Sequence, residues 1–340
     1  GGLYAVTGTL NMADMARRLA DPGMYGVAPA PALGLSALLF AVFALKAGVV
    51  PFQFWVPAAY RAAPAPVAAV LAGVTKKVGV YAMIRLYFLV LAGADLAGAT
   101  VLGFYGAVLF LAAAASVVFG GVAAVERPTL EGVFAYSSIG QVGFIVLPLA
   151  VGALVPAART VAVVAALVYA LNHAVAKALL FLLAGTVADA TGTTRLAELG
   201  GLAGRAPALS GVFLVGAFAL VGIPPLSGFF GKLLVFETAV AAGATGAVGG
   251  AALATALAGA VLTIAYTSRA WNRGFWGTET PRVGSASVAP SQVALLAVLA
   301  LVVVAIGVGF DPVYRFASAA ADAALGTDGY VAAVLGGGGA

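Results

Sequence analysis

The sequence predicts an all-α polytopic membrane protein with about eight transmembrane helices, two of them broken. Three observations carry this. Of 340 residues, 63% are hydrophobic and 9% charged, whereas soluble domains carry about 25% charged residues. The apolar residues fall in runs long enough for a bilayer crossing, which takes ~20 residues. Two runs are interrupted by proline and glycine, and such interruptions occur at membrane depth only inside protein or beside a wet cavity.

The chain opens on GGLYAVTGTLNM, too short to span and without a basic leader or cleavage site. It reads as the tail of a helix whose beginning is missing, so the expectation is a fragment. Residues 1–27 form this helix end and a polar connection, with Arg17 and Arg18 marking a membrane boundary. A run over 28–56 follows, with Lys46 in its middle and Pro51 and Pro57 after it. Proline removes a backbone donor and breaks the helical ladder. After Arg61, Pro64 and Pro66, a second run reaches 90 and holds Lys76 and Lys77. Adjacent helical residues point about 100° apart, so one of this pair is expected to face the polar interior.

Runs over 96–125 and from 134 follow; the latter starts FAYSSIGQ, with Ser137, Ser138 and Gln141 able to hold water or to bond across helices. The fifth run, 160–188, contains LNHAVAKALLF with the single histidine, His173, and Lys177. Positions four apart share a helical face, and a charged side chain at mid-span costs roughly 2.5–3.5 kcal/mol on insertion scales. Two titratable groups on one buried stripe point to proton transfer. A sixth run, 206–236, is interrupted by GIPPLSGFFGK, with Pro224 and Pro225 at the break and Lys232 just beyond it. Glu237 lies one turn further and either pairs with Lys232 or sits at an interface. Spans over 246–270 and 291–310 complete the set. A core domain of 28–242, two further helices in 243–311 and a tail of 312–340 follow from these boundaries.

The cations divide by type. All twelve arginines lie at the ends of apolar runs or between them, and all five lysines lie inside them. Arginine is always charged, whereas a lysine out of water can give up its proton. Snorkelling accounts for any one lysine near a helix end, but not for this partition. Counting loops alternately puts Arg61, Arg127, Arg195, Arg205, Arg269, Arg273 and Arg282 on one side and Arg17, Arg18, Arg85, Arg159 and Arg315 on the other. The positive-inside rule then places the C-terminus outside the cytoplasm.

Cysteine is absent, which removes disulfides, thiolate catalysis and Cys-ligated metals. No P-loop or dinucleotide fingerprint occurs, nothing marks a hydrolase serine, and no basic patch with interleaved aromatics suggests nucleic acid. No enzymatic activity, cofactor or metal is expected.

Five motifs in order, LKAGVVPFQFWVPAAYRAAPAPVAAV (45–70), KKVGVYAMIR (76–85), FAYSSIGQVGF (134–144), NHAVAKALLFLLAG (172–185) and GIPPLSGFFGKLLVF (222–236), resemble the proton-pumping antiporter-like subunit family. That family includes the large membrane subunits of respiratory complex I, membrane-bound hydrogenases and Mrp-type cation/proton antiporters. The resemblance is greatest to the D-type subunit of the Mrp antiporters. The NHxxxKALLF pattern argues against the smaller N-type subunit of complex I, which usually lacks that histidine.

The resemblance implies a fold of about fourteen helices with two inverted five-helix repeats, each containing one broken helix. It also implies a midplane row carrying protons in exchange for Na+ or K+, within a hetero-oligomer of membrane subunits in the plasma membrane. By motif, Lys46 matches the lysine of the first broken helix and Lys77 the bridging lysine. His173 and Lys177 match the central pair, and Lys232 the terminal lysine. Lys76, Tyr169, Ser137, Gln141 and Glu237 are accessory candidates. Glu131 stands where relatives commonly carry a basic residue. The family's glutamate partner to the Lys46 position belongs to an earlier helix absent here, so by the resemblance this chain alone does not transport. A redox-driven pump subunit and a non-transporting structural subunit are the alternatives.

Overall fold

The computed structural model of the chain describes residues 1–96 and 99–336. Apart from a hairpin of two two-residue strands, β1 (Asp95–Leu96) and β2 (Ala99–Thr100), the regular structure is helical. Two short helices, α1 (Gly2–Thr7) and α2 (Met12–Ala20), precede the membrane core. The Asn11 side chain caps α2 by accepting from the amides of Ala13 and Asp14, which satisfies two of the donors that a helix start leaves open. Asp14 then takes both Arg17 and Arg18, at 2.5 and 2.9 Å.

Among the described residues seven helices are long and apolar enough to cross a membrane: α3 (Pro29–Ala47), α5 (Ala65–Val90), α6 (Val101–Glu126), α7 (Leu130–Leu154), α8 (Pro156–Thr191), α12 (Ala247–Phe275) and α14 (Pro290–Val308). The expected eighth crossing is made by two shorter helices, α10 (Pro207–Val221) and α11 (Ser227–Ala241). Between these lie α4 (Trp55–Ala62), α9 (Leu202–Arg205) and α13 (Pro281–Gly284). The tail forms α15 (Phe310–Leu325) and α16 (Thr327–Leu335).

Both interruptions lie where the proline-glycine pattern puts them. The first half of each broken helix stops at a glycine with positive φ, Gly48 at 71° and Gly222 at 91°. There an L side chain is strained and glycine is not. Each amide folds back onto the last turn, Gly48 to the Ala44 and Leu45 carbonyls and Gly222 to that of Phe218. Pro51 lies inside the first break, and Pro224 and Pro225 inside the second. Pro57 is in the first turn of α4, where the proline needs no donor. The Ser116 hydroxyl of α6 accepts the free Val50 amide at 2.9 Å, fixing the exposed backbone of the first break.

Loop contacts sort the connections onto two faces. The Arg269 guanidinium donates to the Arg127 carbonyl, the Leu130 amide to that of Thr194, and Arg205 to that of Ala286. On the opposite face Arg85 stacks on Tyr330, and the Thr327 hydroxyl donates to the Leu89 carbonyl. The two broken crossings, α3–α4 and α10–α11, therefore run in opposite directions, as inverted repeats do.

The outer helices show large apolar side chains such as Leu38, Leu111, Val261 and Leu301 to the surroundings. Helix α7 is the opposite case. In its most apolar window 94% of residues are buried, against 28% in α3 and 22% in α14. A helix apolar on every side belongs in the middle, and α7 has α6, α8, α4, α11 and α12 around it. Its contact with α6 is backbone to backbone: a Cβ at Gly143 would lie 2.8 Å from the Ala113 carbonyl oxygen and 2.9 Å from the Val117 amide nitrogen. Gly143→Leu is therefore expected to force the two helices apart, costing ~1–3 kcal/mol as overpacking does. Gly211→Leu, where nothing lies within 4 Å, should be neutral. Thermal unfolding of the detergent-solubilised protein checks the pair, and equal midpoints would refute the close packing.

A candidate proton row through the core

Helix α7 carries the centre of the site. Ser137, Ser138 and Gln141 all face protein, at 0%, 0% and 1% exposure. Two lysines from different helices grip one turn of it. Lys177 of α8 donates to the Phe134 carbonyl at 3.0 Å and to the Ser137 hydroxyl at 2.5 Å. Lys76 of α5 donates to the Ser138 carbonyl at 3.3 Å. The Phe134 carbonyl also accepts both serine hydroxyls, so this turn gathers the oxygens that a buried ammonium needs.

Lys77 turns the other way along α5 and places its Nζ 2.6 Å from His173 Nδ1 and 2.5 Å from the Ala72 carbonyl. Helical spacing alone leaves room for one of the adjacent lysines to face the interior; both reach it. The cause is local. The segment Leu71–Thr75 just before them is π-helical, and the wider turn leaves the Ala72 carbonyl open to a side chain. Long stems then carry the two amines to different partners. When the Lys77 ammonium donates to Nδ1, the neutral imidazole holds its own proton on Nε2. That Nε2 is buried with no hydrogen-bond partner among the described residues.

Beyond Ser137, one turn along α7, Gln141 donates to the Tyr266 hydroxyl at 2.8 Å and to the Thr263 hydroxyl at 3.1 Å. Its amide oxygen accepts the Tyr169 hydroxyl. Tyr169 is among the accessory candidates; Thr263 and Tyr266 carry no sequence signal, since each is one hydroxyl in an apolar helix. Next comes the Phe144 ring, tilted against Tyr169 with centroids 5.6 Å apart. Lys232 Nζ lies 5.0 Å from the centre of that ring. Three polar groups thus lie in order, Lys77 with His173, Lys177 with Ser137, and Gln141 with Tyr169 and Tyr266, and one aromatic ring separates the last from Lys232.

The breaks are built into the same row. Lys232 donates to the Val221 carbonyl at 3.0 Å, the last residue of α10. A Cβ on Gly48 would be 3.4 Å from Lys76 Nζ, so Lys76 stands at the end of α3. Each break thus presents a helix C-terminus, the negative end of the macrodipole, to one lysine. Asn172, beside His173, accepts the Ser227 hydroxyl at 2.8 Å and donates to the Ala219 carbonyl at 3.4 Å. It ties α8 to both sides of the second break, a role that nothing in the sequence singles out.

Two site candidates fall outside this cluster. Lys46 is on the exposed face of α3, with no hydrogen bond or ion pair among the described residues. It is Lys76, not Lys46, that meets the first break. Glu237 is also exposed and makes no ion pair with Lys232. Among the described residues every ion pair involves arginine, so the buried lysines are held by neutral oxygens and by the imidazole.

The chain is 33% identical to the D subunit of the Na(+)/H(+) antiporter of Alkalihalophilus pseudofirmus, over 98% of this chain and 63% of that protein. It is 39% identical to the N subunit of the NADH-quinone oxidoreductase of Desulforudis audaxviator, over 72% of this chain and 46% of the relative. A chain of the Mrp complex from a Dietzia species superposes with a TM-score of 0.81 at 26% identity, covering 98% of this chain and 66% of that one. The chain thus spans less than two thirds of the length of these relatives. Residues 2–258 match the transmembrane family of NADH:quinone oxidoreductases and Mrp antiporters, and with its buried row set between two opposed broken helices the chain belongs to that family.

Proposed function

We propose that the chain is a membrane subunit of a multisubunit cation/proton antiporter that moves protons along Lys77, His173, Lys177 and Lys232 in exchange for Na+ or K+. It works with other membrane subunits in the plasma membrane and carries out no enzymatic reaction of its own. The seven-arginine face is cytoplasmic and the C-terminus extracytoplasmic, as the positive-inside rule has it. The observation that carries this reading is the 2.6 Å approach of Lys77 to the buried His173, set beside Lys177 on the next turn of α8. On this reading Lys77, His173 and Lys177 exchange protons in turn, and the lack of an ion pair to any of them among the described residues supports it. Histidine suits the middle position because its intrinsic affinity for protons lies near neutrality. Similarity to the D subunit of the antiporter supports the exchange reaction.

Each hop passes one proton from an ammonium to the next neutral acceptor. Lys77 gives its proton to Nδ1, Nε2 releases one onward, and Lys177 takes it against Ser137. Gln141, Tyr169 and Tyr266 offer donors and acceptors that can reorient on the way to Lys232. Similarity to the N subunit of the oxidoreductase supports a second reading, a pump driven by redox subunits. Genes for small antiporter subunits beside this one would favour exchange, and genes for redox subunits the pump.

In the full assembly, Lys177→Ala and Lys232→Ala should each cut cation-driven proton movement in vesicles by at least about tenfold, as loss of a proton-transfer group does. Intact assembly on native gels excludes a folding defect, and wild-type rates in both variants would refute the row. Ser137→Ala removes the 2.5 Å contact to Lys177, a bond to a charged group worth ~1.5–3 kcal/mol. A several-fold slower rate is expected, restored by Ser137→Thr; full activity in Ser137→Ala would show that Lys177 does not depend on this hydroxyl.

A further inference from the structure

On the seven-arginine face, a cavity of about 500 Å³ opens between α4, the start of α7, the end of α8 and the start of α14. Its lining includes Tyr60, Glu131, Phe181, Ala184, Asp189 and Gln292. Two oxygens from different elements are buried there without a partner among the described residues, Glu131 Oε2 and the Tyr60 hydroxyl. Tyr60 is 2% exposed, and a hydroxyl so deep normally finds a hydrogen bond. The other charged groups on the wall are already engaged. The Asp189 carboxylate accepts from Gln292 at 2.8 Å, and Arg61 donates to the Pro57 carbonyl. Glu131 lies in the first turn of α7 and forms no ion pair with Arg61 among the described residues. A space of this size is roomy enough for ordered water, and the two unsatisfied oxygens lie immediately behind its wall.

The floor of the cavity adjoins the lysines. Tyr60 and Phe181 pack edge to face with centroids 5.1 Å apart. Lys76 Nζ lies 6.0 Å from the centre of the Tyr60 ring. Phe181 packs in turn on Phe134, whose carbonyl holds Lys177. One layer of aromatic side chains thus separates the cavity from two amines of the row.

We propose that this cavity is a water-filled mouth through which protons reach the row from the seven-arginine face, and that Glu131 is the group that takes them from water. The carboxylate accepts a proton from hydronium and leaves water. It is a carboxylate again once that proton has passed, by way of cavity water and the Tyr60 hydroxyl, to an uncharged amine at Lys76 or Lys177. The proposal rests on the proton-row reading, and its test separates the two.

The sequence has no cysteine, so single thiols can be placed without background. Ala184→Cys should react with a membrane-impermeant sulfonated maleimide in vesicles of one orientation only. Leu111→Cys, on the outward face of α6, should react in neither. Absence of labelling at both Ala184→Cys and Ala188→Cys in either orientation overturns the mouth. In the full assembly Glu131→Gln should slow exchange several-fold, with Glu131→Asp recovering most of the rate. Full rate in Glu131→Gln with loss in Lys177→Ala overturns the loading role and leaves the row standing. Full rate in both overturns the row and the loading role together.

Discussion

Buried lysines without a carboxylate partner set the terms for this structure. Lys76 and Lys177 are wholly buried and Lys232 is 4% exposed, yet none forms an ion pair among the described residues. At the centre of a bilayer each charge costs roughly 2.5–3.5 kcal/mol even on the lenient scale. An ion pair would offset that cost and also hold the proton in place. Carbonyl and hydroxyl oxygens stabilise an ammonium more weakly, and a hydroxyl serves the neutral amine as well. That weaker grip is the arrangement expected where a proton must arrive and leave.

The helix breaks follow from the same need. Inside an intact helix such as α7 a carbonyl that holds a lysine is shared with its own ladder, whereas the last carbonyls of a helix have no such partner. Stopping α3 at Gly48 and α10 at Gly222 frees the last carbonyls at mid-depth and points two helix dipoles inward. The remaining backbone groups of the breaks are then met by side chains, Ser116 at Val50 and Asn172 at Ala219. Neither break stands alone, and each is tied to a helix of the row or to its neighbour. The close α6–α7 contact at Gly143 serves the same end, since it holds α7 and its serine turn fixed between the lysines that reach it.

Much of this is legible in the sequence, because bilayer physics writes itself into composition. The eight crossings are readable from apolar length, and both breaks from proline and glycine. The partition of lysine from arginine points to the buried lysines, although Lys46 lies outside the cluster, and the i, i+4 spacing of His173 and Lys177 sets those two on one buried face. What cannot be read is which way single side chains point across helix contacts. Lys46 and Lys76 both lie in apolar runs near the first break, and only the rotation of α3 and the π-helical turn in α5 decide that Lys76 meets it. A π turn has no sequence signature, so a spacing of 100° makes the adjacent lysines look exclusive when they are not. Asn172, Thr263 and Tyr266 are silent for a related reason, since a single amide or hydroxyl in an apolar helix acquires a role only from a partner far away in the chain.

The two breaks are alike in their carbonyls but differ in how their lysines are attached. Lys232 is on the second half of its own broken helix, so any tilt of α11 against α10 changes the 3.0 Å contact with Val221 directly. Lys76 reaches the first break from α5, which has π-helical turns on both sides of the lysine pair, Leu71–Thr75 and Ile84–Val90. A π turn closes on i→i+5 bonds, so each one offsets the register of the residues beyond it. The directions of Lys76 toward Gly48 and of Lys77 toward His173 are thus set beside a π turn and not by regular helical spacing alone. One lysine is attached through the break in its own helix and the other through the register of a neighbouring helix, with His173 between them in the chain of side chains.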